Sequence, residues 1–106
     1  MSEPRAPADA GASDQVFRRI VTIGNRRGLH ARAAAKFVQL AEQFDAEIWV
    51  AKKDTVVSGL SIMGLMMLAA GPGLEIELRA RGAQAETAIC ALADLVQNKF
   101  DEEDEA

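Results

Sequence analysis

His30 is the one histidine of the chain, and it stands in the run Asn25-Arg26-Arg27-Gly28-Leu29-His30-Ala31-Arg32-Ala33-Ala34-Ala35-Lys36-Phe37-Val38. There a glycine loop is predicted to enter a helix. The first N–H groups of a helix have no intrahelical partner and together carry about half a unit of positive charge, so they gather anions. An imidazole in its neutral form presents a nucleophilic ring nitrogen near neutral pH. Arg32 falls within the first turn and adds a permanent charge on a planar donor fork that matches phosphate oxygens. These residue types at this spacing suit the receipt and release of a phosphoryl group, a transfer that depends on alignment and charge balance. A lone histidine without such neighbours would more simply cap a helix or fill a gap.

The charge along the chain supports that chemistry once it is divided. The formal net charge is −4, yet residues Val16 to Phe100 hold eleven Lys or Arg against eight Asp or Glu. The negative excess lies in residues 1–15 and in Asp101-Glu102-Glu103-Asp104-Glu105, which are read as a disordered N-terminal tail and an acidic C-terminal tail. Arg26, Arg27, Arg32 and Lys36 cluster around His30, and such a cluster steers a phosphate or an acidic protein surface toward it. Nucleic acid is a poor fit, because no aromatic residues are interleaved with these arginines and Tyr is absent. No uninterrupted apolar stretch is long enough to span a membrane. The N-terminal segment also lacks the apolar core of a secretory signal. Cys90 is the one cysteine, which fits a reducing cytoplasm; it is expected on the core side of a helix as a buried, inert thiol. One histidine, one cysteine and scattered carboxylates give no ligand set, so neither a metal nor another cofactor is expected.

The elements that must position His30 follow from periodicity. Phe17–Ile23 reads as a strand ending at Gly24-Asn25. Ala34, Phe37, Val38, Ala41 and Phe44 recur at helical spacing, predicting an amphipathic helix over Ala31 to Phe44. Glu47–Lys52 and Asp54–Ser58 are β-rich and separated by a tight turn, as in a hairpin. Ser61 is placed to cap a short helix over Ile62 to Leu68, which Gly71-Pro72-Gly73 stops. Leu74–Ala80 alternates apolar and charged residues, as a sheet with one solvated face requires. Ala85, Ala88, Ile89, Leu92, Leu95, Val96 and Lys99 mark the stripe of a closing helix. Trp49 is read as a sheet packing residue. The order βαββαβα predicts an α+β open-faced sandwich, a four-stranded, mostly antiparallel sheet covered on one face by three helices.

Gly28-Leu29-His30-Ala31-Arg32-Ala33-Ala34 resembles the active-site signature of the histidine-containing phosphocarrier protein (HPr) family of the bacterial phosphotransferase system. Ser58-Gly59-Leu60-Ser61-Ile62-Met63-Gly64-Leu65-Met66-Met67-Leu68 is similar to that family's regulatory-serine region. The resemblance covers roughly Phe17 to Phe100, and it implies the same open-faced sandwich. It implies that His30 is phosphorylated on Nδ1 by enzyme I at the expense of phosphoenolpyruvate and passes the group to an enzyme IIA, with Arg32 as the anion partner. It further implies a carrier without turnover of its own, acting as a monomer.

The same resemblance implies that Ser61 is the target of a serine kinase/phosphorylase, and that its phosphorylation weakens transfer from enzyme I or recruits a regulatory protein. A phosphoserine at a helix N-terminus places its charge beside the positive dipole end, so the fold tolerates it. Helical spacing sends Leu65 and Leu68 to the core and leaves Ile62, Met63 and Met66 toward the rim, where the family places a partner-binding patch. Flexible thioethers suit a surface that fits several partners in turn. Three departures bear on partner choice: Ala33 stands where many members have proline, Arg27 where many have a small polar residue, and Leu60 where lysine is frequent. Arg27 therefore joins the candidate partner-binding residues. The alternative reading is a nitrogen-type regulatory module whose phosphorylation state selects its partner.

Overall fold

A computed structural model describes residues 15–101. The expected tails, 1–15 and 101–106, lie outside the described residues except for Gln15 and Asp101. The elements are β1 (Val16–Thr22), α1 (Ala31–Ala41), β2 (Glu47–Lys52), β3 (Thr55–Ser58), α2 (Ile62–Met67), β4 (Glu75–Arg81) and α3 (Ala85–Gln97). They appear in the expected order, with ends displaced by a few residues where chain ends fray. The largest displacement is in α1. It stops at Ala41, and Gln43 and Phe44 close the chain with tighter bonds to the carbonyls of Leu40 and Ala41.

The strands lie in the order β1-β4-β2-β3, and all three pairings are antiparallel. β1 and β2 are each antiparallel to β4 and so run in the same direction on either side of it. The β1–α1–β2 unit is thus split by the last strand, a βαβ arrangement with a gap filled from elsewhere in the chain. Register places Val21 opposite Ile76 and both Phe17 and Ile48 opposite Ala80. Val21, Ile48, Val50, Ile76, Leu78 and Ala80 are buried together. Ala34, Phe37 and Val38 of α1, Leu65 of α2 and Ala88, Leu92 and Val96 of α3 complete that core.

The other sheet face is open. Trp49 is half-buried there with the Arg81 guanidinium over its ring, 5.5 Å from the centroid, an aromatic packing role strengthened by cation–π attraction. Arg81 also pairs with Glu47 across the β2–β4 ladder.

Two expectations for the closing helix need correction. Cys90 is exposed. Its neighbour Ile89 and the following Leu92 and Ala93 face the core, and one residue step of about 100° from Ile89 carries Cys90 out to solvent. Lys99 does not continue the apolar stripe. The α-helix ends at Gln97, and Lys99, Phe100 and Asp101 form a left-handed turn with φ of 56, 56 and 63°. That reversal swings Phe100 inward, where it is fully buried, and Lys36 of α1 donates to its carbonyl at 2.7 Å.

Candidate functional site

After β1, Ile23 is held to the Gly73-Leu74 segment by two backbone bonds, Ile23 N–H to Leu74 O at 2.9 Å and Gly73 N–H to Ile23 O at 2.8 Å. Asn25 then closes the loop. It is the one buried polar residue among those described; its Nδ2 donates to Gly28 O at 2.8 Å, and its own carbonyl accepts from Gly28 N–H at 3.2 Å. A short amide that satisfies backbone groups from inside a turn is the usual reason for asparagine there.

Gly28 sits at φ +66°, and a Cβ built on it would lie 2.3 Å from Ala70 O and 2.9 Å from Gly71 Cα. Only glycine permits both the conformation and the approach. The gain is a backbone strap, Leu29 N–H to Ala70 O at 3.0 Å. It ties the loop to the segment that follows α2.

His30 is the N-cap of α1, in an extended conformation (φ −78°, ψ 179°), and it is half-buried. Its carbonyl accepts the Ala34 N–H at 2.8 Å, and its ring Nδ1 accepts the Arg32 N–H at 3.3 Å. A ring nitrogen that accepts carries its lone pair, so in this arrangement the imidazole proton belongs on Nε2. Nδ1 is thereby aimed at the positive end of α1. Beside it is a groove of about 220 Å³ lined by Arg27, Leu29, His30, Ala69, Ala70 and Gly71. The structure thus brings Arg27 alongside the histidine. Arg32 is exposed in the first turn, with its backbone rather than its guanidinium bonded to the ring. A larger hollow of about 520 Å³ lies against β2 and β4, lined in part by Ile20, Lys53 and Glu77. None of the sequence-predicted site residues lines it.

Ser61 caps α2 as expected. Its Oγ accepts the Gly64 N–H at 2.9 Å, and a Cβ at Gly64 would crowd both Ser61 Oγ and Val57. Leu65 and Leu68 are buried, whereas Ile62, Met63 and Met66 are exposed. Leu60 and Met67 extend this apolar surface, Met67 being 73% exposed. Met67 was legible in principle, since it lies four residues after Met63 and shares its helix face.

Sequence reasoning also missed Asn25 and Ala70. An asparagine three residues ahead of a glycine is a turn signal. The Ala70 carbonyl acts through a tertiary contact that no local pattern announces. Among the described residues no cluster of His, Cys, Asp or Glu is arranged to hold a metal ion, and no helix is long and apolar enough to cross a membrane.

Residues 17–98 match the PTS-HPr family, described as the PTS HPr component phosphorylation site. The chain belongs to the HPr family. Phosphocarrier protein HPr of Neisseria meningitidis serogroup A is 51% identical over 87 residues, spanning 82% of this chain and 98% of that protein. Phosphocarrier protein NPr of Shewanella violacea is 48% identical over 84 residues, 79% of this chain and 92% of that one. Among solved structures, HPr-C-His from Thermoanaerobacter tengcongensis is 46% identical with a TM-score of 0.78, covering 82% of this chain and 98% of the other. The HPr fold is the open-faced sandwich described above, and the HPr match includes both the His30 loop and the Ser61 helix.

Proposed function

We propose that this chain is the phosphocarrier of a phosphoenolpyruvate-dependent phosphotransferase system, taking a phosphoryl group from enzyme I on Nδ1 of His30 and passing it to an enzyme IIA. The observation that carries this reading is the seating of Nδ1 at the N-terminus of α1, lone pair first, beside an open groove. The Nδ1 lone pair attacks phosphorus as the bond to the donor nitrogen on enzyme I breaks, and the acceptor on enzyme IIA later displaces His30 in the same way. The Arg32 N–H, which points at Nδ1 before transfer, then donates to a phosphoryl oxygen, and the Arg32 and Arg27 guanidinium groups balance the remaining charge. The protein is a carrier and not an enzyme, because its phosphohistidine is a stoichiometric intermediate between two partners.

In this reading Ser61 is the regulatory phosphorylation site, and Ile62, Met63 and Met66, with Met67 added, form the face on which partners dock. The protein works as a cytoplasmic monomer, its function residing in residues 16–100. The nitrogen-type regulatory module is the less favoured reading, since the N. meningitidis relative, matched over 98% of its own length at 51% identity, is named an HPr.

The test is labelling with enzyme I and radiolabelled phosphoenolpyruvate. The wild-type chain is expected to take up an acid-labile, alkali-stable phosphoryl group, and His30→Ala to take up none while keeping its fold. Acid-labile labelling that persists in His30→Ala would remove the claim.

A further inference from the structure

We propose that Lys52 is a positioning residue for His30, acting through the turn that follows α2; the inference rests on His30 being the phosphoryl acceptor. Lys52 is the last residue of β2, far from His30 in sequence. Its ammonium donates to Leu68 O at 2.8 Å and to Ala69 O at 3.4 Å. The last carbonyls of a helix have no intrahelical donors and carry its negative dipole end, so a cation there satisfies both needs.

The turn it holds is not one the sequence favours. Ala69 is in the left-handed region at φ 53°, a conformation that helix ends ordinarily give to glycine because a Cβ opposes it. Lys52 bonds to the carbonyls on both residues of that reversal, Leu68 and Ala69. The reversal in turn directs the next carbonyl, Ala70 O, at Leu29 N–H, 3.0 Å away. Leu29 is buried and immediately precedes His30. Ala69 and Ala70 also share the wall of the His30 groove. A continuous path therefore runs from the Lys52 ammonium through the Ala69 turn and the Ala70–Leu29 strap to the histidine. Lys52 touches neither the imidazole nor the groove, so it sets geometry without entering the chemistry.

Lys52→Met keeps most of the aliphatic stem and removes the charge, and Lys52→Arg restores a cation. Two measurements on the full chain decide the matter: amide hydrogen exchange, and phosphoryl uptake from enzyme I resolved into kcat and KM. In Lys52→Met the Leu29 amide is expected to exchange about tenfold faster, as for loss of a charged hydrogen bond in a local opening, while the amides of Ile89 and Leu92 in α3 keep wild-type exchange. The kcat of uptake is expected to fall by about three- to tenfold with KM for enzyme I unchanged, because misalignment costs rate rather than docking. Lys52→Arg should recover both. Wild-type exchange of the Leu29 amide in Lys52→Met would overturn the proposal, as would equal acceleration at Ile89 and Leu92, or a raised KM at constant kcat. Failure of the carrier reading shows separately, as a wild-type chain that takes no label on His30, and in that case Leu29 exchange still decides whether Lys52 holds the loop.

Discussion

Gly28→Ala puts the construction of the His30 loop to a quantitative test. The residue sits at φ +66°, and an L side chain in the left-handed region costs about 1–2 kcal/mol. The new Cβ would also lie 2.3 Å from Ala70 O and 2.9 Å from Gly71 Cα, and both are backbone atoms that cannot swing aside as a flexible side-chain end would. The loop must then lift from the Ala70 segment and break the 3.0 Å bond from Leu29 N–H. Losing that bond removes about 0.5–1.5 kcal/mol.

The combined destabilisation is about 1.5–3.5 kcal/mol, a large part of the roughly 5–15 kcal/mol that holds a small domain together. It should lower the melting temperature by about 10 °C or more. Gly71→Ala is the internal control, since its Cβ would meet nothing within 4 Å; its stability should stay within about 1 kcal/mol of wild type. Urea unfolding of both variants gives the stabilities, and phosphoryl uptake from enzyme I under conditions where Gly28→Ala remains folded gives the effect on the site. The expected result is a destabilised Gly28→Ala with uptake slowed at least tenfold from wild type, against a Gly71→Ala of near-normal stability. Wild-type stability and wild-type uptake in Gly28→Ala would show that the close approach of Gly28 to Ala70 has no part in presenting His30.

Other residues of the site yield further expectations. Arg32→Ala should slow transfer to and from His30 by an order of magnitude or more, given about 1.5–3 kcal/mol for a charge-assisted bond; unchanged rates in a stopped-flow or quench experiment would mean that backbone N–H groups suffice. Ser61→Ala should cost about 1 kcal/mol in urea unfolding through loss of the bond to Gly64 N–H. Ser61→Asp, which retains a capping acceptor, should keep its stability yet weaken calorimetric binding to enzyme I, and wild-type affinity in that variant would return Ser61 to a purely structural role. Met63→Ala and Met67→Ala remove exposed side chains, so melting should move little while affinity for enzyme I falls; full affinity in both would leave the α2 face without a docking function.

Local chemistry in the sequence was sufficient for the elements and for the two helix caps, His30 and Ser61. Alternation in Leu74–Ala80 and the apolar spacing of Ala34, Phe37, Val38 and Ala41 locate a strand and a helix because each element must bury one face against the same core. Ser61 was legible as a cap since its bond to Gly64 spans only three residues. The same holds for His30, whose ring bonds to an amide two residues on.

What remained hidden depends on groups far apart in the chain. The Leu29–Ala70 strap, the Lys52 ammonium on the end of α2 and the burial of Phe100 under Lys36 join residues separated by 41, 16 and 64 positions. No periodicity records which carbonyl a distant donor will meet. Cys90 shows the converse limit, for its apolar character suggested burial while the phase of α3 against the sheet turned it to solvent. The sequence by itself determined where the first helix begins and that the one histidine stands at its cap. Only the tertiary structure decided how that helix start is held, because the backbone carbonyls that fix it come from a turn whose direction is set by packing across the whole domain.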